Sequence, residues 1–534
     1  MLTTMAETRC LFCSLCCPAG VAFGEMGLSE PAYPGHAPPA HHGLCYRGHF
    51  LSDLAAHPGR MVGAVARDDG SVRSVPPREA LRRVAELLPG MRGEAAVAID
   101  GNVPCEELAE AVRLARVGLG IERVAVYVPP ADEQVLRGLA ASAARPLGEE
   151  ELAHCDVILA VGDPFATHPP IAAPVLDALA RARGNRLINL DSVRGRTARF
   201  ATDFCLVPPG GEARALAESE AGRLAGMVSN AERLGVLLSL PDGRCSAPAA
   251  AASLAAKLAQ AHGGGVCPLL TYGNANGALR LGTALKATPL AQLLAELRAG
   301  KVRNLIVLGT DLLSALPVRE LDSAQIVLAA SALPSATTER ARCAVPMALW
   351  FEIGGRVVDG SGERREAAAI GPPCGGALTP SQVLRALGAA EVPELSEGEL
   401  AAMLATAPEA GECGVRSAEC GVKSESGRLA LVPAADSVGF ADGSLSTQLA
   451  WPALVEPQPV LRLHPSDAQA LGAPVAMVRS NGAAVRLAVA ASQDVPRGVA
   501  TVSAHFPETR ALFAWGARGA GPALVALEKC SGND

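Results

Sequence analysis

The sequence predicts an α/β protein headed by a cysteine-organised unit and closed by a small β-barrel. Three observations predict it: thiols at cluster-binding spacing near the N-terminus, a long alternation of amphipathic helices with short apolar runs, and a C-terminal switch to short alternating strands. With 534 residues, 49% of them hydrophobic, the chain has ample apolar surface for several domains.

Residues 1–60 come first. "CLFCSLCC" and "GLCYRGHF" set Cys10, Cys13, Cys17 and Cys45 in the spacing C-x2-C-x3-C-x27-C. Three close thiolates can wrap three corners of a 4Fe-4S cubane from one loop, and the remote Cys45 closes the fourth. Four thiolates also satisfy tetrahedral zinc, which usually shows two close pairs. The three-plus-one split points to a cluster, with structural zinc and unligated thiols as the other readings. By spacing alone Cys16 competes with Cys17 for the third position. The rest of the stretch is rich in Gly, Pro and His with little periodicity, so residues 1–60 read as a loop-built unit organised by a cofactor rather than by a core.

Residues 61–390 change pattern. From "PREALRRVAELL" onward, amphipathic helices alternate with "AAVAID", "RVAVYV", "DVILAVG", "RLINLD", "VCPLLTYG", "RNLIVLG" and "QIVLAAS". This predicts parallel sheets covered by helices on both faces. Several runs end in turns of small or acidic residues. Open α/β sheets bind ligands at the carboxyl ends of their strands, so Gly162, Asp163, Asp191, Gly273, Asn274, Asn276, Gly309 and Asp311 are candidate cofactor-binding residues. Every α/β protein needs such turns, and each one taken singly is also an ordinary feature of the fold.

Residues 391–457 are polar, Gly-rich and aperiodic and read as a linker or insertion. Cys413 and Cys420 lie there as C-x6-C, which matches no standard site. Residues 458–534 read as short alternating strands of a small β-barrel, with a helical "SDAQALG" and a hairpin turn at Asn481-Gly482.

Composition excludes some partners. Net charge is -7 and no Lys/Arg block occurs, so nucleic acid and anionic membrane are poor matches. "MLTTMAETRC" has no apolar core, cleavage site or twin arginine, and no stretch reaches about 18 uninterrupted apolar residues. The expectation is a cytoplasmic protein without direct membrane insertion. The fifteen cysteines agree: outside the first 45 residues they are scattered singly, without pairing rhythm.

The cysteine set, "GLCYRGHF…HPGRM", "VGDPFATHP", "INLDSVRGRTARFATDFCLVPPGG" and the barrel together resemble the molybdopterin oxidoreductase family over nearly the whole chain. The resemblance implies an N-terminal 4Fe-4S domain, two interleaved doubly wound α/β domains and a C-terminal double-psi β-barrel, cradling a molybdopterin guanine dinucleotide. Within the family, "LLTYGNANGALRLG" and "ARCAVPMALWFEIGGRVVDGSGERREA" look most like the large iron-sulfur subunit of NADH-quinone oxidoreductase, respiratory complex I. Pro346, Glu352, Gly354, Gly360 and, one residue later than the family motif places it, Arg364 carry that match. Set against that subunit, the resemblance implies a chain that begins at the 4Fe-4S unit, without the 2Fe-2S ferredoxin domain and its neighbouring cluster motifs. The family pattern implies Cys17 rather than Cys16 as ligand. It gives Arg47 a place between cluster and pterin, where a guanidinium can hydrogen-bond a pterin edge. His168 matches a family position near the nucleotide, with pterin contact and loop capping as its two readings.

Catalytic relatives carry a molybdenum ligand, often followed by His, on the loop after the second strand of the first α/β domain. That loop here, "VYVPPADEQVLRGL", offers only Asp132. Cys105, one helix earlier, reads better as a helix-start residue. The leading expectation is an electron-transferring iron-sulfur subunit whose partners are flavin- or iron-sulfur-containing dehydrogenase subunits. The alternative is a catalytic molybdenum or tungsten oxidoreductase, such as a formate or formylmethanofuran dehydrogenase, with Asp132, Cys105 or an inorganic ligand at the metal. A structural zinc protein fits the cysteines and leaves the other domains unexplained.

Overall fold

The computed structural model describes residues 2–24, 29–32, 43–68, 71–142, 145–218, 222–410, 427–435, 438–516 and 519–530. They form two compact units. The first takes Met1–Gly35, Gly48–Val128 and Tyr272–Pro408; the second takes His36–Arg47, Pro129–Thr271 and Glu409–Asp534.

The first unit is built on a sheet of seven strands among the described residues. Their order is Ser71–Val75, Ala64–Asp68, Cys343–Pro346, Gln325–Ser331, Asn304–Leu308, Ala95–Asp100, Arg123–Tyr127. The last five run parallel, and the first two add an antiparallel edge. Asn304–Leu308 is apolar after its first residue and buried throughout, as a strand covered on both faces requires. Chain order runs outward in both directions from the gap between Ala95–Asp100 and Asn304–Leu308, which is therefore the switch point where such sheets open a crevice. Helix Pro77–Met91 buries Leu81, Val84 and Leu88 and packs on Ala64–Asp68 and Cys343–Pro346.

The N-terminal stretch is more regular than its composition suggests. Leu2–Arg9, Pro18–Gly24 and Ser29–Ala32 form an antiparallel sheet, and the cysteine loop joins its first two strands. "LTTMAETR" and "PAGVAFG" carry too few large apolar residues and too many strand-weakening ones to announce strands on their own; pairing with each other supplies what propensity lacks.

The second unit contains a wholly parallel sheet in the order Asp203–Leu206, Arg186–Asp191, Val157–Val161, Leu234–Leu238, Gly265–Pro268. In chain order this is 3-2-1-4-5, with the switch point between Val157–Val161 and Leu234–Leu238. The same unit holds a closed barrel of Arg428–Pro433, Val499–Val502, Val460–Leu463, Ala483–Ala491, Val475–Ser480 and Ala523–Lys529. Leu461, Leu463, Val478, Val502, Phe513 and Val525 fill it. Asn481 and Gly482 take φ of 49° and 81° as the two-residue turn between Val475–Ser480 and Ala483–Ala491. Helix Pro465–Leu471 ends on left-handed Gly472.

The span 391–457, which reads from sequence as a linker or insertion, contributes helix Glu397–Ala405 and the barrel strand Arg428–Pro433. That strand directly follows the Gly- and Ser-rich run and is six residues long, too short for its pattern to stand out. Cys413 and Cys420 lie outside the described residues. Among the described residues no helix is long and apolar enough to cross a membrane.

Candidate functional site

In the second unit, strand Val157–Val161 ends at Gly162, whose φ is 84° and where a Cβ would fall 2.1 Å from the Ser239 carbonyl oxygen. Only glycine lets the two switch-point strands close this tightly. The buried Asp163 carboxylate accepts from the amides of Arg196 (2.7 Å) and Thr197 (2.8 Å) and from the Thr197 hydroxyl (2.6 Å). It thereby ties the loop after the neighbouring strand to this turn. Ser239 and Thr167 hydroxyls lie 2.7 Å apart, His168 Nδ1 is 2.9 Å from Thr167 Oγ1, and His168 Nε2 is 2.9 Å from the Leu270 carbonyl. A carbonyl only accepts, so Nε2 carries the proton and Nδ1 accepts from Thr167. Burial, and then the Arg47 charge, depress His168 to about 3. Buried Arg47 donates to the Thr167 carbonyl. Arg47, Gly162, Asp163 and His168 therefore meet in one network at a sheet crevice. Asp191 ends the second strand, the place where dinucleotide-binding sheets carry a ribose-binding carboxylate. Here it receives Arg244 and the Ser192 amide (2.6 Å) instead.

The first unit repeats the motif at its own switch point. Gly309 (φ 94°) donates to the Ala330 carbonyl at 2.9 Å as Gly162 does to Leu190 at 2.9 Å. Asp311 accepts from the Thr337 amide (2.9 Å) and hydroxyl (2.6 Å). The Thr337 hydroxyl accepts from the Leu313 amide (3.1 Å), as Thr197 does from Phe165 (3.0 Å). Asp163 and Asp311 thus bind threonines rather than stand open.

Gly273, Asn274 and Asn276 floor the cysteine loop in the first unit. Gly273 donates to the Leu11 carbonyl (3.2 Å), and a Cβ there would meet Leu11 Cα at 2.6 Å. Asn274 donates to the Val103 carbonyl (2.6 Å) and accepts from the Val358 amide (3.0 Å). Asn276 donates to the Asp359 carbonyl (3.1 Å) and accepts from Arg280 (2.8 Å). Asn102 donates to Leu11 (3.0 Å), the Gly360 amide to Ser14 (3.0 Å), and the Cys10 amide to Cys17 (3.0 Å). Cys16 sits at φ 46° with its thiol 3.2 Å from the Gly273 carbonyl. Burial, then Asp359, raise that thiol well above its usual range, so it stays protonated and donates. Cys10 and Cys13 are buried and Cys17 half-buried in this loop; Cys45, half-buried, is in the second unit. The thiol donors suit an iron-sulfur cluster or zinc, while among the described residues no three His, Cys, Asp or Glu side chains gather around one metal position.

The two candidate molybdenum ligands are held by the fold. Asp132 lies not on a loop but in the first turn of helix Pro130–Ser142. A proline at the first helical position presets φ, so "PPAD" starts a helix where the sequence suggests a loop. The buried Asp132 carboxylate accepts from the Thr271 amide (2.9 Å). Cys105 begins helix Cys105–Arg113, as expected, with its thiol 3.4 Å from Asn274 Oδ1. Burial, then Glu106, push that thiol up to about 12.

Sequence reasoning misses Arg244, Ser239, Thr197, Thr337 and Glu212. The "VGD" to "RGRT" and "LGTD" to "SATT" correspondence could have found the threonines; nothing local marks Arg244.

This arrangement of sheets and barrel has a counterpart among solved structures. The chain is similar to the solved structure of acetylene hydratase from Pelobacter acetylenicus, with a TM-score of 0.71 and 12% identity over 98% of this chain and 100% of that one. No protein-family model matches the chain, and no curated protein matches it.

Proposed function

We propose that the chain is the iron-sulfur electron-transfer subunit of a multi-subunit redox assembly. The observation that carries this reading is the state of the two candidate metal ligands. Asp132 accepts a backbone amide through one carboxyl oxygen from within a helix and so already serves the fold, and Cys105 is buried with its thiol pushed up to about 12, which disfavours the thiolate that a metal would need. His168 has both ring nitrogens engaged and stays neutral, so it is a poor proton carrier. Cys10, Cys13, Cys17 and Cys45 would hold a 4Fe-4S cluster, which supplies one-electron transfer. Arg47 would add a fixed positive charge near it, favouring the reduced form. A molybdopterin guanine dinucleotide is not required by this reading. The partners would be flavin- or iron-sulfur-containing dehydrogenase subunits.

The likeness to an enzyme, acetylene hydratase, favours a second reading in which the chain is catalytic with Mo or W and Asp132 rotates off Thr271 to bind it. Purification of the native complex, followed by formate-dependent dye reduction, separates the two. Co-purification with a flavin or iron-sulfur subunit and no formate oxidation by the isolated chain is the expected result. Dye reduction by the isolated chain that Asp132→Ala abolishes would establish the catalytic reading instead.

A further inference from the structure

Glu212 opens helix Glu212–Ala217 and is completely buried in the second unit. Neither carboxyl oxygen makes a hydrogen bond of good geometry; its own amide and the Cys245 thiol lie beside it. Its charged neighbours are Asp191 at the end of Arg186–Asp191, Arg244 on the segment after Leu234–Leu238, and, through these, Asp163. Helix Pro248–Ala261 packs on helix Glu212–Ala217 with alanines, and its Lys257 is exposed. The Arg244 guanidinium is bonded to Asp191, with the Glu212 and Asp163 carboxyl groups within its electrostatic reach. Arg244 also donates to the carbonyl of Pro433 (2.9 Å), the last residue of barrel strand Arg428–Pro433. A group that bridges sheet and barrel thus has as its neighbour a buried acid whose own partners are its backbone amide and a thiol, with no cation bonded to it. Burying a carboxylate without partners is unfavourable, so the proton state of Glu212 decides how many anions compete for Arg244.

We propose that Glu212 is a protonation latch on the barrel. Protonated, it leaves Arg244 to bridge Asp191 and the Pro433 carbonyl; ionised, it draws the guanidinium away and loosens strand Arg428–Pro433 from the sheet. The proton leaves to solvent and no other group changes. Burial, with Asp191 adding to it, raises Glu212 from 4.5 to about 7, which places the change near neutral pH. Because the folded value is the higher one, the stabilising contribution is full below about 4.5 and is lost as pH rises through about 7. The latch does not depend on the electron-transfer reading.

The test is hydrogen exchange on the full chain at about pH 6 and about pH 8, corrected for intrinsic rates. Protection of the amides of 428–433 should fall several-fold at the higher pH in the wild type, and Glu212→Gln should keep it at both. Equal protection at both pH values in the wild type, or the same fall in E212Q, overturns the proposal. A wild-type infrared titration needs no variant. A buried carboxylic acid C=O band lost between these pH values supports the latch, and its absence at about pH 6 overturns it.

Discussion

Thr197 closes the switch point of the second unit, and Thr337 that of the first, by the same three contacts. Each hydroxyl donates to a buried aspartate at 2.6 Å and accepts an amide of the turn that follows it. Replacing either hydroxyl by a methyl leaves a buried carboxylate and an amide short of partners, at a cost of about 1–3 kcal/mol. Thr197→Val and Thr337→Val should therefore lower stability in denaturant by similar amounts; a loss in one variant and none in the other would contradict the repeat. His168 adds a pH dependence of its own. Its folded value near 3 lies below the ordinary 6.5, so the unfolded chain takes up a proton that the folded chain refuses. Stability should fall as pH drops from about 6.5 toward about 3, and His168→Gln should flatten that limb of an acid-unfolding curve. At the cysteine loop, Cys16 is spent on Gly273, so Cys16→Ser should leave iron content intact and Cys17→Ser should remove it. The reverse pattern would reassign the third ligand.

Among the elements, the strands that sequence periodicity predicts are those with continuous apolar runs: Ala95–Asp100, Val157–Val161, Asn304–Leu308 and Gln325–Ser331 all form as expected. Shorter or more polar strands were not legible, because Arg428–Pro433, Asp203–Leu206 and the N-terminal sheet gain their stability from partners far away in sequence. The candidate site was legible at the level of turns and not of roles. Gly162, Asp163, Gly309 and Asp311 do lie at carboxyl ends beside switch points, but whether their carboxylates are open depends on Thr197 and Thr337, 34 and 26 residues away. Asp132, which the sequence sets on a loop, lies instead in the first turn of a helix that begins at Pro130. The cysteine loop also rests on distant elements. Asn102→Ala removes the bond to Leu11 and the acceptor for the Asn274 amide, so exchange within residues 10–17 should rise several-fold while the seven-stranded sheet keeps its protection. Unchanged exchange in the loop would show that the cysteines, and not the floor beneath them, hold it.

At the scale of the molecule, each compact unit draws on three separate stretches of chain, so neither sheet with its companions can be cut out as one continuous fragment. Chemistry at this scale turns on which metal the purified chain carries. Four cysteines at cluster spacing make iron the metal this account expects. The most direct measurement is elemental analysis of anaerobically purified protein for Fe, Zn, Mo and W, joined to EPR of the dithionite-reduced sample. The account predicts about four irons per chain, a reduced-cluster signal and no stoichiometric Mo or W. About one Mo or W per chain, or one zinc with no iron, would contradict it.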